Sequence, residues 1–96
     1  MKKILVNLDF GGFSLKKEYF EDFMARTHGL DDIREDEKLI ALVEQGTNIG
    51  GNYAEIGIAE IPDNATDYVI EEYDGKETVL YVLDGKIRYA ENKYFL

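Results

Sequence analysis

The sequence contains no cysteine, one histidine and one proline, and it is poor in basic residues. Without cysteine, disulfides and thiolate metal sites are excluded, and the composition is compatible with a reducing cytoplasm. The single histidine, His28, excludes a metal site built from several histidines. The single proline, Pro62, cannot donate a hydrogen bond within a sheet, so we expect it at a strand end or on an edge.

The deficit in basic residues is large, because 11 lysines and arginines face 20 aspartates and glutamates, a formal net charge of −9. Such a field repels phosphate backbones, so we do not expect direct nucleic-acid binding. The acidic surface either keeps the protein soluble or fits a basic groove on a partner. No stretch approaches the roughly 20 apolar residues of a membrane span, and Asn7 and Asp9 interrupt the first apolar run. We therefore expect a soluble intracellular protein without membrane contact.

The length of 96 residues, 45% of them hydrophobic, predicts a single domain over residues 1–96. After a first strand at Lys3–Asp9, apolar periodicity predicts a helix over Leu15–Thr27 with Ser14 as its N-cap. A second helix begins at Asp32 or Asp36, with acidic residues in its first turn. The side chains predicted to face the core are Leu15, Tyr19, Phe20, Phe23 and Met24 in the first helix and Leu39, Ile40, Leu42 and Val43 in the second.

From Ala54 onward the period changes to two, and strands follow at residues 68–73, 76–83 and 86–90. They are separated by Asp74-Gly75 and Asp84-Gly85, sequences typical of two-residue hairpin turns. Two such turns fix the register: Val82 opposite Ile87, Leu80 opposite Tyr89, Val69 opposite Leu80 and Glu72 opposite Glu77. The last pair joins like charges, which costs stability unless a cation intervenes. The predicted fold is α+β, with two helices packed on a mostly antiparallel sheet of four to five strands and a C-terminal β-meander.

Several short blocks occur in a fixed order along most of the chain. They are Gly-Gly-Phe-Ser-Leu at 11–15, Glu-Ile-Pro-Asp at 60–63 and Glu-Tyr-Asp-Gly at 72–75, with Arg34, Asp36, Leu39, Val43-Glu44, Gly51 and Tyr53-Ala54 between them. In this order and spacing the sequence resembles a family of small tailed-phage proteins, although it departs from the family pattern at Lys16, where serine is usual. The family has no assigned enzymatic activity. The resemblance therefore implies a phage context, a location in the host cytoplasm and a non-enzymatic role.

The Gly11-Gly12 turn precedes a helix, where backbone N–H groups can bind an anion. With Arg34 and an aromatic side chain nearby, it would form a small pocket for a nucleotide-like ligand. Together with the block residues, the ligand-binding candidates are Gly11, Gly12, Phe13, Arg34, Asp36, Tyr53, Glu60, Asp63, Tyr73 and Asp74.

Two other interpretations of these residues stay open. Arg34 can pair with Asp36 or Glu37 and only hold the start of the second helix. Acidic side chains can also meet at one end of the sheet and bind a divalent cation; the candidates are Asp9, Asp36, Glu60, Asp63, Glu72 and Asp74. No hydrolase constellation, P-loop or dinucleotide motif is present in the sequence, so we expect neither catalytic residues nor a cofactor.

These observations predict a non-enzymatic phage protein that acts on the host. In the first hypothesis it is a sponge that sequesters a host immune nucleotide signal in the glycine-turn pocket. In the second, its acidic surface binds and blocks a basic host protein, either a defence protein or a nucleic-acid-binding protein, as a DNA mimic does. The net charge favours the second hypothesis and the glycine turn favours the first. A role in phage replication and self-association into a homo-oligomer stay open.

Overall fold

The computed structural model describes residues 1–93, which form two helices and two three-stranded antiparallel sheets. The strands are β1 Lys2–Asn7, β2 Ile56–Ile61, β3 Asp67–Tyr73, β4 Lys76–Leu83, β5 Lys86–Tyr89 and β6 Glu91–Lys93. The helices are α1 Lys17–Thr27 and α2 Glu37–Glu44, with a short 3₁₀ turn at Ile33–Glu35 between them. The predicted α+β class is confirmed. In the described part of the chain, no helix is long and apolar enough to cross a membrane.

The prediction of one sheet with four to five strands is wrong, because the strands divide between two sheets. The first sheet has the order β1-β2-β6 and the second sheet has the order β3-β4-β5. The division begins where β2 ends at Ile61, because Pro62 stops the ladder as predicted and the Ala65 N–H donates to the Pro62 carbonyl in a tight turn. The second division lies after β5, where the chain returns to pair β6 with β2.

The first sheet is the middle layer of the molecule and is buried on both faces. On one face, Leu5 and Ile58 join a core with residues of both helices. On the other face, Ile4 and Val6 pack in a second core with Val79 of β4. The consecutive apolar residues of β1 fit a strand that is covered on both sides.

The C-terminal meander has the predicted register. Val82 lies opposite Ile87, Leu80 lies between Val69 and Tyr89, and Glu72 lies opposite Glu77. Both hairpin turns have positive φ at their two central residues: 51° and 90° at Asp74-Gly75, and 53° and 75° at Asp84-Gly85. These angles fit a type I′ turn, whose twist matches the twist of the paired strands. Local turn chemistry was therefore sufficient to predict this part of the fold.

The start of the first helix differs from the prediction. Ser14 is not the N-cap; Lys16 occupies that position without a side-chain hydrogen bond, and the helix begins at Lys17. The preceding backbone is extended because Leu15 forms an antiparallel bridge with Gly50. Two predicted core residues of α1 are not buried: Phe20 is 48% exposed and Met24 is 39% exposed.

Candidate functional site

Asn7, the last residue of β1, is fully buried and holds three loops together. Its side-chain Nδ2 donates to the carbonyl oxygens of Asp9 at 2.6 Å and Gly75 at 2.7 Å. Its Oδ1 accepts from the backbone N–H of Glu55 at 2.9 Å. One buried amide with satisfied hydrogen bonds therefore joins residues 8–13, residues 50–55 and the β3–β4 turn at residues 73–76, which we call the three-loop end.

Two glycines allow the backbones of these loops to touch. A Cβ atom at Gly11 would overlap the backbone of Tyr53, and a Cβ atom at Gly75 would overlap the backbone of Phe10 and Gly12. Gly12 itself has a φ of +85°, in the region that favours glycine. The glycine pair of the sequence thus serves two needs, a close approach at one residue and a left-handed backbone at the next.

Beneath the loops, Arg34 forms a bidentate ion pair with Glu77. Nη1 lies 2.6 Å from Oε1 and Nη2 lies 2.7 Å from Oε2, and the two side chains are only 20% and 6% exposed. Nη1 also donates to the carbonyl of Leu5, and the guanidinium carbon lies 3.7 Å from the centre of the Phe13 ring. Glu77 Oε1 accepts a further hydrogen bond from the Asn7 backbone N–H. The pair therefore connects β4 to β1 and to the 3₁₀ turn.

This arrangement corrects the predicted pairing of Arg34 with Asp36 or Glu37. Of the like-charge pair Glu72 and Glu77, Glu77 is neutralised by Arg34, which lies 43 positions before it in the chain. Both terminal guanidinium nitrogens donate to oxygens of the protein itself. Asn7 and Glu77 were not among the predicted site residues. The like-charge pair was the one signal in the sequence that pointed to Glu77.

The outer surface of the three-loop end carries one exposed aromatic ring from each loop, and we call Phe10, Tyr53 and Tyr73 the aromatic rim. Their exposed fractions are 62%, 82% and 75%. Asp9 and Asp74 are exposed beside them. Tyr53 has a φ of +63°, a conformation that is costly for a residue with a bulky side chain and is often found at functional sites. The loops thus hold three large rings in solvent on a well-supported backbone.

Asp36 lies outside the three-loop end and has two structural roles. Its carboxylate accepts from Arg26 at 3.1 and 3.0 Å, and it caps α2 by accepting from the Leu39 N–H at 3.0 Å. Burial acts to raise the pKa of Asp36, but these hydrogen bonds outweigh burial and lower the pKa below its usual value. The prediction that Asp36 could start the second helix is confirmed.

Glu60 and Asp63 lie at the opposite end of β1 from Asn7, where Lys2 is paired with Ile61. Glu60 forms an ion pair with Lys93 at 2.8 Å, and the hydrogen bond from Lys93 is the main reason that the pKa of Glu60 is lowered. Asp63 pairs with the N-terminal amine at 3.2 Å. Of the ten candidates, the structure therefore brings seven to the three-loop end or directly beneath it: Gly11, Gly12, Phe13, Arg34, Tyr53, Tyr73 and Asp74.

The acidic residues proposed for a cation site are dispersed. Among residues 1–93, no three aspartate, glutamate, histidine or cysteine side chains are grouped closely enough to hold a metal ion. Three surface clefts of about 550, 380 and 220 Å³ also lie away from the Gly11-Gly12 turn. The largest is lined by charged residues between Arg26 and Lys38, and the smallest lies on the second sheet.

The fold and the site define an α+β protein with an exposed aromatic loop end, which buried hydrogen bonds and close backbone contacts hold together. Comparison with models of protein families, with curated proteins and with solved structures finds no match to this chain. The resemblance to small tailed-phage proteins stays a prediction. A fold alone does not assign a function, so the geometry of the site is the guide to what this protein does.

Proposed function

We propose that this chain is a non-enzymatic binding protein whose three-loop end docks on a basic surface of a partner protein. The observation that carries this proposal is the aromatic rim, in which Phe10, Tyr53 and Tyr73 are each more than 60% exposed. Exposed aromatic residues on a rigid support are typical of binding surfaces, because large rings bury much area at a small cost in side-chain entropy. The strained backbone of Tyr53 supports the same conclusion.

The charge of the chain specifies the kind of partner. The three loops contain Asp9, Glu55 and Asp74 against a single cation, Lys76, and the whole protein carries a net charge of −9. Such a field attracts a basic partner over a distance of about 8–10 Å at physiological salt and disfavours acidic partners. If the phage resemblance holds, the partner is a basic defence protein or nucleic-acid-binding protein in the host cytoplasm.

The same geometry supports a protein partner over a nucleotide. The nucleotide hypothesis depends on Arg34 as the cation for a phosphate group, but the terminal nitrogens of Arg34 donate to Glu77 and Leu5. A phosphate bound there would compete with a bidentate carboxylate that is almost fully buried. The rings of the aromatic rim, in contrast, are free to contact a partner without any rearrangement of the protein.

Tyr53→Gly provides a sharp test, because glycine accepts the φ of +63° and the substitution removes the whole side chain, ring included, without straining the backbone. Tagged wild-type protein is used to capture proteins from a bacterial host lysate, and the captured protein is purified and titrated. We expect a basic partner whose dissociation constant rises at least about tenfold for Tyr53→Gly. We also expect binding to weaken as salt rises from about 50 to about 300 mM.

Leu30→Gly is the matched control, because Leu30 is 86% exposed and lies outside the three-loop end. It should bind the partner as the wild-type protein does. Equal affinities of Tyr53→Gly and the wild-type protein, or affinities independent of salt, would overturn the proposal. A thermal shift with a panel of signalling nucleotides tests the alternative: a rise of the melting temperature that Arg34→Lys abolishes would favour the sponge hypothesis.

A further inference from the structure

The outer face of the second sheet, the side turned away from the first sheet, is an apolar surface that no other element within residues 1–93 covers. The register and the alternation of side chains place five apolar residues together there: Val69, Leu80, Val82, Ile87 and Tyr89. Three of them are largely exposed, Val69 at 60%, Ile87 at 72% and Tyr89 at 67%. A cleft of about 220 Å³ lies on the same strands.

We propose that a second copy of this chain covers the outer face and that the protein forms a reversible homodimer. The five residues expose on the order of 400–500 Å² of apolar surface, comparable to the largest patch of an ordinary monomer, and such patches commonly mark interaction sites. Two copies in contact would bury roughly 1,000 Å² with their surroundings, the lower limit for a specific interface. This area fits a dimer that dissociates on dilution.

The shape and charge of the outer face favour a second copy over the basic partner proposed above. Leu80 lies at the centre between Val69 and Tyr89, so the patch has apolar groups on both sides and can pack against itself across a two-fold axis. Sheets pack face to face in this way at an angle of about 30°. The five residues are uncharged, so a basic partner would gain no ion pair at the centre of this face.

Salt distinguishes this contact from the contact proposed for the three-loop end. Dimerisation joins two chains that each carry a net charge of −9, so their repulsion opposes association and salt screens that repulsion. The dimer should therefore become tighter as salt rises, whereas binding of a basic partner becomes weaker. Because the two responses have opposite signs, one proposal can fail without the other.

The test is sedimentation equilibrium of the purified protein from about 5 to about 500 µM, at low and high salt. We expect the mass to rise with protein concentration from 11.0 kDa towards twice that value. At high salt this rise should occur at a lower protein concentration than at low salt. Ile87→Lys should raise the dissociation constant of the dimer at least about tenfold, because it places a charge in the apolar interface. Val69→Lys, on the other edge of the patch, should have the same effect.

Leu30→Lys makes the same change of charge at an exposed site outside the outer face and should dimerise as the wild-type protein does. Tyr53→Gly should also dimerise normally. A mass of 11.0 kDa at every concentration and salt, or an equal loss of dimer in Leu30→Lys, would overturn the proposal. The proposal would also be overturned if the wild-type protein stays monomeric and Ile87→Lys no longer binds the basic partner. The outer face would then be the binding surface for that partner.

Discussion

The two sheets of this protein differ in how they are covered. The first sheet has helices on one face and the second sheet on the other, so Ile58 of β2 is fully buried. Within residues 1–93 the second sheet is covered on one face only, so Ile87 of β5, the same residue type in the same type of structure, is 72% exposed. An apolar residue in a strand is therefore not by itself a core residue. The difference indicates that the first sheet provides stability and that the second sheet presents a surface.

The contact between the sheets is the place where this comparison can be tested most strongly. Replacing Glu77 by alanine leaves the mostly buried charge of Arg34 without its carboxylate partner. Breaking a buried ion pair from one side costs about 3–5 kcal/mol, so we expect Glu77→Ala to lower the free energy of unfolding by about that amount. Urea unfolding followed by circular dichroism measures the change.

Glu72→Ala is the matched control, because Glu72 lies directly opposite Glu77 in the ladder but is exposed. Its effect should be within about 0.5 kcal/mol of zero. Arg34→Met combined with Glu77→Leu should recover part of the loss, since no unpaired charge then remains. A loss below about 1 kcal/mol for Glu77→Ala would show that the pair does not hold the sheets together.

The next prediction compares the two isoleucines directly. Ile58→Ala should lower the free energy of unfolding by about 2–5 kcal/mol, because it removes a fully buried side chain and leaves a cavity. Ile87→Ala should change it by about 0.5 kcal/mol or less at a protein concentration where the chain is monomeric. Thermal and urea unfolding give both values. Similar losses for the two variants would mean that the outer face is covered within a single chain.

The sequence was sufficient for the parts of the fold that depend on neighbouring residues. Two Asp-Gly turns and period-two alternation predicted the register of the meander, and Asp36, one of the two predicted starts of the second helix, is its N-cap. The division into two sheets was not predicted, because it depends on where the chain goes after Pro62 and after β5. β6 was missed because Glu91-Asn92-Lys93 is short, polar and exposed.

The candidate site was predictable to the extent that its residues lie in turns. Gly11, Gly12 and Tyr53 were reached from local signals, and the structure brings them together. Asn7 and Glu77 were missed because their roles depend on contacts with residues 48 and 43 positions away. Apolar periodicity and turn motifs carry no information on such partners. The only hint was the pair of like charges at Glu72 and Glu77. It predicts a cation nearby but does not identify Arg34.

The last comparison is between the two Asp-Gly turns, which have the same local conformation and different surroundings. Gly85 has a φ of +75°, and a Cβ atom there would have no described atom within 4 Å, so Gly85→Ala should cost only the backbone strain, about 1 kcal/mol. Gly75 has a φ of +90°, and a Cβ atom there would overlap the backbone of Phe10 and Gly12. Gly75→Ala should therefore cost about 1–3 kcal/mol more, because backbone atoms cannot move away as a flexible side chain can.

Binding distinguishes the two glycine variants even where their stabilities are close. Gly75→Ala pushes the loop of residues 8–13 away from the β3–β4 turn, so Phe10 and Tyr73 no longer keep their relative positions. Affinity for a partner at the three-loop end should fall with Gly75→Ala and stay unchanged with Gly85→Ala, at a temperature where both are folded. Equal stabilities and equal affinities of the two variants would show that the Asp74-Gly75 turn is no more constrained by its surroundings than the Asp84-Gly85 turn. The inference that the loop backbones hold the aromatic rim in place would then be wrong.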